Sequence, residues 1–397
     1  MAPTFDLTEG RRRVRRVQRE LAAAGLGGAL LVQGMDRYYL TGTLQAGFVV
    51  VAADGDPLLL VRRDPERAAA ESPFPVIPLG SARDLAEQIR AAFGAVPEPL
   101  GLELDVLPVV QAERLKAGFP GVAFGDAAPA VMAARAVKGE GEIAHIRRAA
   151  EGVAAAVARV PELLRDGVRE IDLSADLERE LRRHGHQGLL RMRGFGQEIF
   201  YGHVMAGTTA ATVSGGNAPT GGAGFSAALP QGAGERAIRV GEPVVVDLVG
   251  VSQGYHSDQT RMFSLGPPQA DHAAMYRAAL QVQGAVLAAT RPGVSGAELY
   301  RIALDAAAAT PFAECFLGER HKVGFVGHGV GLELDEEPFL APGYRKPLEA
   351  GMVFALEPKF IREGVAAVGV EDTVLVTAGG CERLTPSPQD WGVVSEV

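Results

Sequence analysis

The chain has 397 residues, enough for two or three domains at about 100–200 residues each. A content of 47% hydrophobic and 22% charged residues excludes general disorder, and no apolar run reaches the roughly 18 residues of a membrane helix. The net charge of −9 argues against a nucleic-acid partner, and two distant cysteines, Cys315 and Cys381, exclude a disulfide framework and point to a reducing, cytoplasmic compartment.

Val14, Val17 and Leu21 recur at helical spacing, and Thr8 is the expected N-cap. The arginines from Arg11 to Arg19 read as a solvated helix face, because no apolar core of signal-peptide length follows them. Residues 28–32, 47–53 and 57–61 then read as short buried strands, with Asp54-Gly55 as a hairpin signal between the last two. Helices are expected at 81–93 and 109–118, with a strand at 101–104 between them. This alternation predicts a mixed α/β domain over residues 1–135.

The pattern breaks near Pro129 and Gly139, and a long charged helix is expected from about 140 to 164. The second domain, 136–397, has further helices near 170–185, 271–290 and 295–309. Its strands are expected near 199–206, 243–251, 260–265, 352–357 and 365–376. Helix pair and strands thus alternate twice, which suggests two related α/β halves. Residues 214–234 are Gly-rich without a Gly-Lys-Ser/Thr ending, so they read as an irregular insertion over a site rather than a phosphate loop.

The chemistry is signalled by acids inside apolar strands. Asp247 interrupts Val244-Val245-Val246-Asp247-Leu248-Val249, and burying an isolated carboxylate costs far more than the valines return unless the charge is paired or bound to a metal. Asp258 follows eleven residues later. Glu357 ends Met352-Val353-Phe354-Ala355-Leu356, and Glu371 lies in Val368-Gly369-Val370-Glu371-Asp372. His328 sits between glycines in Gly327-His328-Gly329. Singly, each reads as a cap, an ion pair or a turn residue. Together, four carboxylates and one imidazole suit two divalent cations holding a hydroxide between them. The mixed oxygen and nitrogen set fits Mn²⁺, Co²⁺, Fe²⁺ or Zn²⁺ better than Ca²⁺.

These pieces carry a resemblance. VVVDLVG with GYHSDQTR, GHGVGLELDEEP, GMVFALEP and VGVEDT resemble, in order, the motifs of the pita-bread metallopeptidases: prolidase, aminopeptidase P, methionine aminopeptidase and the non-metal relative creatinase. The first 130 or so residues, with DRYYLTG, are similar to the creatinase-type domain that precedes the catalytic domain in prolidases. The resemblance implies an α/β (α+β) architecture: a creatinase-like domain, then a pita-bread domain. It implies two divalent ions per chain, Mn²⁺ first among the candidates. Asp247 would bind one ion, Asp258 and Glu371 would bridge, and His328 and Glu357 would complete the second, with Glu357 also the general base. The implied substrate is a small peptide with proline second, cut through the bridging hydroxide, and the implied assembly is a homodimer to which Tyr38 or Tyr39 could contribute.

The pattern also departs from the family. Asp335 stands seven residues after His328, where a substrate-binding His is expected, and no His lies between His203 and His256, where another belongs. Gly369 replaces an Arg two residues before Glu371. An ionised Asp cannot donate to an oxyanion, and loss of one such donor typically costs about 10²–10³ in rate. Asp335 could instead bind a cationic substrate group, and His203 could supply the missing donor. Other readings are hydrolysis of another small C–N compound, or a catalytically silent metal-binding scaffold.

Overall fold

The computed structural model describes residues 5–214 and 218–395, so part of the Gly-rich stretch, 215–217, lies outside the described residues. The chain divides into two compact units: residues through Arg135 with Arg193–Gly196, and Ala136–Met192 with Gln197–Val397.

The first unit is a mixed six-stranded sheet, in the order Val76–Pro78, Leu58–Val61, Gly47–Ala52, Gly28–Leu31, Leu100–Leu102, Phe124–Asp126. Leu30, Val50, Leu60, Ile89 and Leu100 form the centre of its core, all fully buried. The first helix is Leu7–Ala23, and its N-cap is Asp6 rather than Thr8; the Asp6 carboxylate accepts from the Glu9 N–H at 2.8 Å. An ionised cap at that end also meets the positive end of the helix dipole. Tyr39 is fully buried and donates to the Ala134 carbonyl at 3.2 Å, so it packs in this unit and is not free to reach a partner's site.

In the second unit the expected helix 140–164 stops at Val157 and resumes as Val160–Leu163. The cause is Pro161, which has no N–H to give and whose ring clashes with the carbonyl four residues back. Two β-systems follow. One has the order Gly392–Val394, Tyr255–Leu265, Val244–Ser252, Gly202–Ala206; the other has Glu336–Leu340, Gly327–Gly329, Val353–Leu356, Asp372–Thr377, Gly380–Arg383. A separate ribbon pairs Lys359–Arg362 with Ala366–Gly369. The helices Ala270–Ala289 and Gly296–Ala308 share a core with Phe354, Leu356, Phe360 and Val374. Helix pairs and strands thus recur twice, the α/β (α+β) arrangement expected.

One strand is longer than expected. Tyr255–Leu265 pairs along its whole length with Val244–Ser252, starting at Ser252 and Tyr255. The turn residues Gln253 and Gly254 have φ of 50° and 84°, the signature of a tight hairpin that usually announces itself as Asn-Gly or Asp-Gly. Gln-Gly hides it. Gly250 is required in this hairpin: a Cβ there would lie 2.3 Å from the Ala149 carbonyl of the helix Glu140–Val157, which packs directly on the strand.

Candidate metal centre

Register alone brings the acids together. Asp247 is paired with Thr260 on one side and His203 on the other, and Asp258 is opposite Val249, two residues from Asp247. Side chains alternate along a strand, so His203, Asp247, Asp258 and Thr260 share one face. In the other sheet His328 pairs with Ala355, and Asp372 with Leu356, which sets Glu357 and Glu371 just beyond the paired residues. All five expected ligands are buried.

Ligand atoms of Asp258, His328 and Glu371 lie within 4.8 Å of one another. His328 Nε2 is 3.9 Å from Asp258 Oδ2 and 3.7 Å from Glu357 Oε1. Its Nδ1 lies 2.9 Å from the Leu334 carbonyl, which can only accept, so in the neutral ring the proton sits on Nδ1 and the Nε2 lone pair faces the acids. Thr260 Oγ1 donates to Glu371 Oε2 at 2.7 Å, and the Asp258 N–H is held by Thr373 Oγ1 at 2.9 Å. Asp258 Oδ1 and Glu371 Oε1 are buried and have no hydrogen-bond partner among the described residues.

A residue not anticipated from sequence stands inside the cluster. Lys359 is 2% exposed, and its Nζ donates to Glu357 Oε2 at 2.8 Å, Glu371 Oε2 at 3.0 Å and Asp247 Oδ2 at 3.2 Å. A signal was present: five lysines occur in the chain, and this one opens an apolar strand two residues after Glu357.

The electrostatics follow from that one cation among four acids. Burial, then the charges of Glu371 and Asp247, hold the Asp258 carboxyl well above its usual range. Burial likewise pushes Glu371 up, against Lys359 and with Glu357 and Asp247. Burial opposes ionisation of Asp247 too, but Lys359 first and His203 second outweigh it, and its pKa is lowered. Lys359 is itself raised well above the usual lysine value, since Asp247, Glu357 and Glu371 overcome its burial. For His328 burial favours the neutral ring, but Glu357, Asp335 and Glu371 reverse the balance and raise its pKa.

His203 belongs to the same network. Thr220 Oγ1 donates to Asp247 Oδ2 at 3.1 Å and lies 3.2 Å from His203 Nδ1. With its only proton on the carboxylate, Thr220 accepts from His203 Nδ1–H, and Nε2 is left without a proton. Nε2 is buried and unpartnered among the described residues, and burial lowers the pKa of the ring. The expected role as donor to an oxyanion therefore does not match the tautomer; the ring can accept from a substrate N–H. Asp335 is half-buried and near enough to His328 to favour its protonation. Its neighbour Glu336 is committed to Lys138 at 2.7 Å, both fully buried.

A buried cage of carboxylates and imidazole within a pita-bread unit defines a metallopeptidase. A family model described as metallopeptidase family M24 matches residues 144–378, and one described as the creatinase/prolidase N-terminal domain matches 13–137. The chain belongs to family M24. It is 31% identical over 98% of both chains to the probable dipeptidase PepE of Mycobacterium tuberculosis. It is 28% identical to the Xaa-Pro dipeptidase of Pyrococcus horikoshii, covering 91% of this chain and 93% of that one. Among solved structures it is similar to an Xaa-Pro dipeptidase from Bacillus anthracis, with a TM-score of 0.81 at 26% identity over 97% of this chain and 100% of that one.

The family implies divalent metal, and the residues fit one ion. Buried acceptor oxygens of Asp258 and Glu371 lack partners, and the His328 lone pair faces them. They do not fit a second ion equally: on the Asp247 side the acceptors already receive the Lys359 ammonium.

Proposed function

We propose that this protein is a divalent-metal-dependent Xaa-Pro dipeptidase, hydrolysing the peptide bond before proline in dipeptides. The observation that carries the reading is the pair of orphaned, buried oxygens on Asp258 and Glu371 beside the His328 lone pair, in a chain aligned nearly end to end with proteins named Xaa-Pro dipeptidase. Asp258, His328, Glu371 and Glu357 would hold the ion. Bound there, a divalent cation would supply Lewis acidity toward the scissile carbonyl and lower the pKa of water; Mn²⁺ is the first candidate for this ligand set.

The chain's own groups supply the rest. Glu357 receives the proton of the attacking water, beside which its Oε1 would lie. His203 Nε2 accepts from a substrate N–H. Asp335 offers a negative charge for the ammonium end of a dipeptide, replacing recognition by imidazole with recognition by an ion pair. The reading includes a cytoplasmic homodimer: free Cys315 and Cys381 accord with a reducing compartment, and light scattering on the purified protein tests the dimer.

The test is a panel of Xaa-Pro dipeptides and longer Xaa-Pro peptides offered to the Mn²⁺-loaded protein, with Asp258→Ala as the blank. Cleavage of dipeptides above that blank supports the proposal. Cleavage of longer peptides only would make it an aminopeptidase. No cleavage with any divalent metal would overturn Xaa-Pro hydrolysis and favour another C–N substrate. Asp335→Asn should raise KM and leave kcat within about threefold if Asp335 binds the substrate ammonium in ground and transition states alike.

A further inference from the structure

Given the metal-dependent activity proposed for this site, we propose that Lys359 determines how many ions it takes. The centre is mononuclear: Asp258, His328, Glu371 and Glu357 hold one divalent cation, and the Lys359 ammonium fills the second cation position, the one that Asp247 would otherwise complete. The two-ion arrangement expected from the sequence is thereby reduced to one ion and one fixed organic cation.

The first support is saturation. An ammonium has three N–H donors, and Lys359 places one on each of three different carboxylates, at 2.8, 3.0 and 3.2 Å. No donor is spare, and the side chain is buried, so its charge is compensated entirely by the cluster. An ion bound through those same oxygens would sit within van der Waals reach of the ammonium and be repelled by it, with little water present to screen the charges.

The second support is that the fold makes room for this lysine. Lys359 pairs with Gly369 across the Lys359–Arg362 and Ala366–Gly369 ribbon. A Cβ at position 369 would lie 2.4 Å from Lys359 Cγ. Gly369 is thus the complement of Lys359: a side chain at 369 would push the lysine stem out of its path to the acids. The departure noted in the sequence, Gly369 where an Arg is expected, and the unexpected Lys359 are one feature seen on two paired residues.

The third support is asymmetry. Lys359 takes Asp247 Oδ2, Glu357 Oε2 and Glu371 Oε2, while the fully buried oxygens without a partner among the described residues are Asp258 Oδ1 and Glu371 Oε1. Both belong to residues grouped with His328. One divalent ion and one ammonium bring three positive charges to four carboxylates. Two ions and the ammonium would bring five.

The experiment is to strip the full-length protein with chelator, reload it with Mn²⁺ alone, dialyse, and count bound metal by mass spectrometry of the elements. Electron paramagnetic resonance on the same samples separates isolated Mn²⁺ from an exchange-coupled pair. Wild type should bind one equivalent with the spectrum of an isolated ion. Lys359→Gly should move to two equivalents with a coupled spectrum, and Lys359→Arg should stay at one. Two equivalents and a coupled spectrum in wild type would overturn the proposal. So would a wild type that binds no more metal than Asp258→Ala, or a Lys359→Gly variant that folds and remains at one equivalent. If the glycine variant does not fold, the count and spectrum of wild type still decide the matter. One bound ion without Xaa-Pro cleavage would sink the proposed substrate and leave this inference standing.

Discussion

Glu371 and Asp372 are consecutive buried acids with opposite surroundings. Asp372 is paired with Arg261 at 2.6 Å and accepts further bonds from Gln283 at 3.0 Å, Gln389 at 2.7 Å and Thr385. Arg261 in turn donates to the carbonyls of Thr260, Glu371, Ser387 and Pro388. Glu371 faces Thr260 and Lys359, and one of its oxygens has no partner among the described residues. Alternation along paired strands separates the two: Thr260 meets Glu371, and Arg261 meets Asp372. On the Asp372 side both carboxylate oxygens accept hydrogen bonds and an arginine balances the charge; the Glu371 side is short of positive charge. A folded protein leaves buried carboxylates short of partners only at a cost, so the deficit marks where a ligand belongs.

The sharpest way to test this contrast is to remove one acid from the deficient side. Asp258→Asn should lower Xaa-Pro hydrolysis by at least about 10³-fold, because it removes a metal-facing oxygen. Yet it should leave the metal-free protein as stable as wild type or more so, since it relieves repulsion within the cluster. Thermal melts with and without Mn²⁺ check both halves: wild type should gain about 2.7 kcal/mol at an ion concentration near one hundred times Kd, and the variant should gain nothing. A metal-free Asp258→Asn variant that unfolds readily would break the comparison.

The satisfied side should respond in the opposite way. Arg261→Met leaves Asp372 buried without its cation and should cost about 3–5 kcal/mol in urea denaturation, with metal content per folded chain unchanged. Arg261→Met combined with Asp372→Leu should cost less than the sum of the single changes, because neither partner is then left unpaired. A smaller effect joins the two sides. Thr260→Val removes the hydroxyl that orients Glu371 and should weaken Mn²⁺ binding by about 10–100-fold, readable by calorimetry, with little loss of stability.

The smallest effect lies away from both faces and sets the acid baseline for these comparisons. Burial, then Arg182, lowers the His186 pKa to about 4, and its Nδ1 accepts the Gly188 N–H at 2.9 Å. The unfolded chain takes up a proton below about 6.5 that the native state refuses until about 4. Its contribution is therefore complete above about pH 6.5 and is lost as pH falls toward 4. Urea midpoints for His186→Asn should fall less steeply over that window than those of wild type.

How much could be read before the fold was known differs by element. The five buried residues of the cluster expected from sequence were legible because an acid inside a run of valines, or a histidine between glycines, is locally anomalous. The hairpin Ser252–Tyr255 was not, because Gln-Gly carries a weak turn signal although both residues take positive φ. Pro161 ends its helix by a rule visible in sequence. The capping role of Asp6, one position ahead of the helix start at Leu7, depended on where the first turn closes.

The sequence by itself determined the fold class, the two α/β halves and the residue types of a metal centre, because hydrophobic periodicity and misplaced charges are local properties. Trp391 packs on its domain, edge-on to Tyr276 and donating to Ser264 Oγ. Only the tertiary structure decided which cations share the acids. Lys359 and Gly369 are ten positions apart; paired across a ribbon, they bring an ammonium to Asp247, 112 residues from Lys359 in the chain. Charge balance in a buried site depends on the distances among all its members, and those distances exist only once the strands are in register.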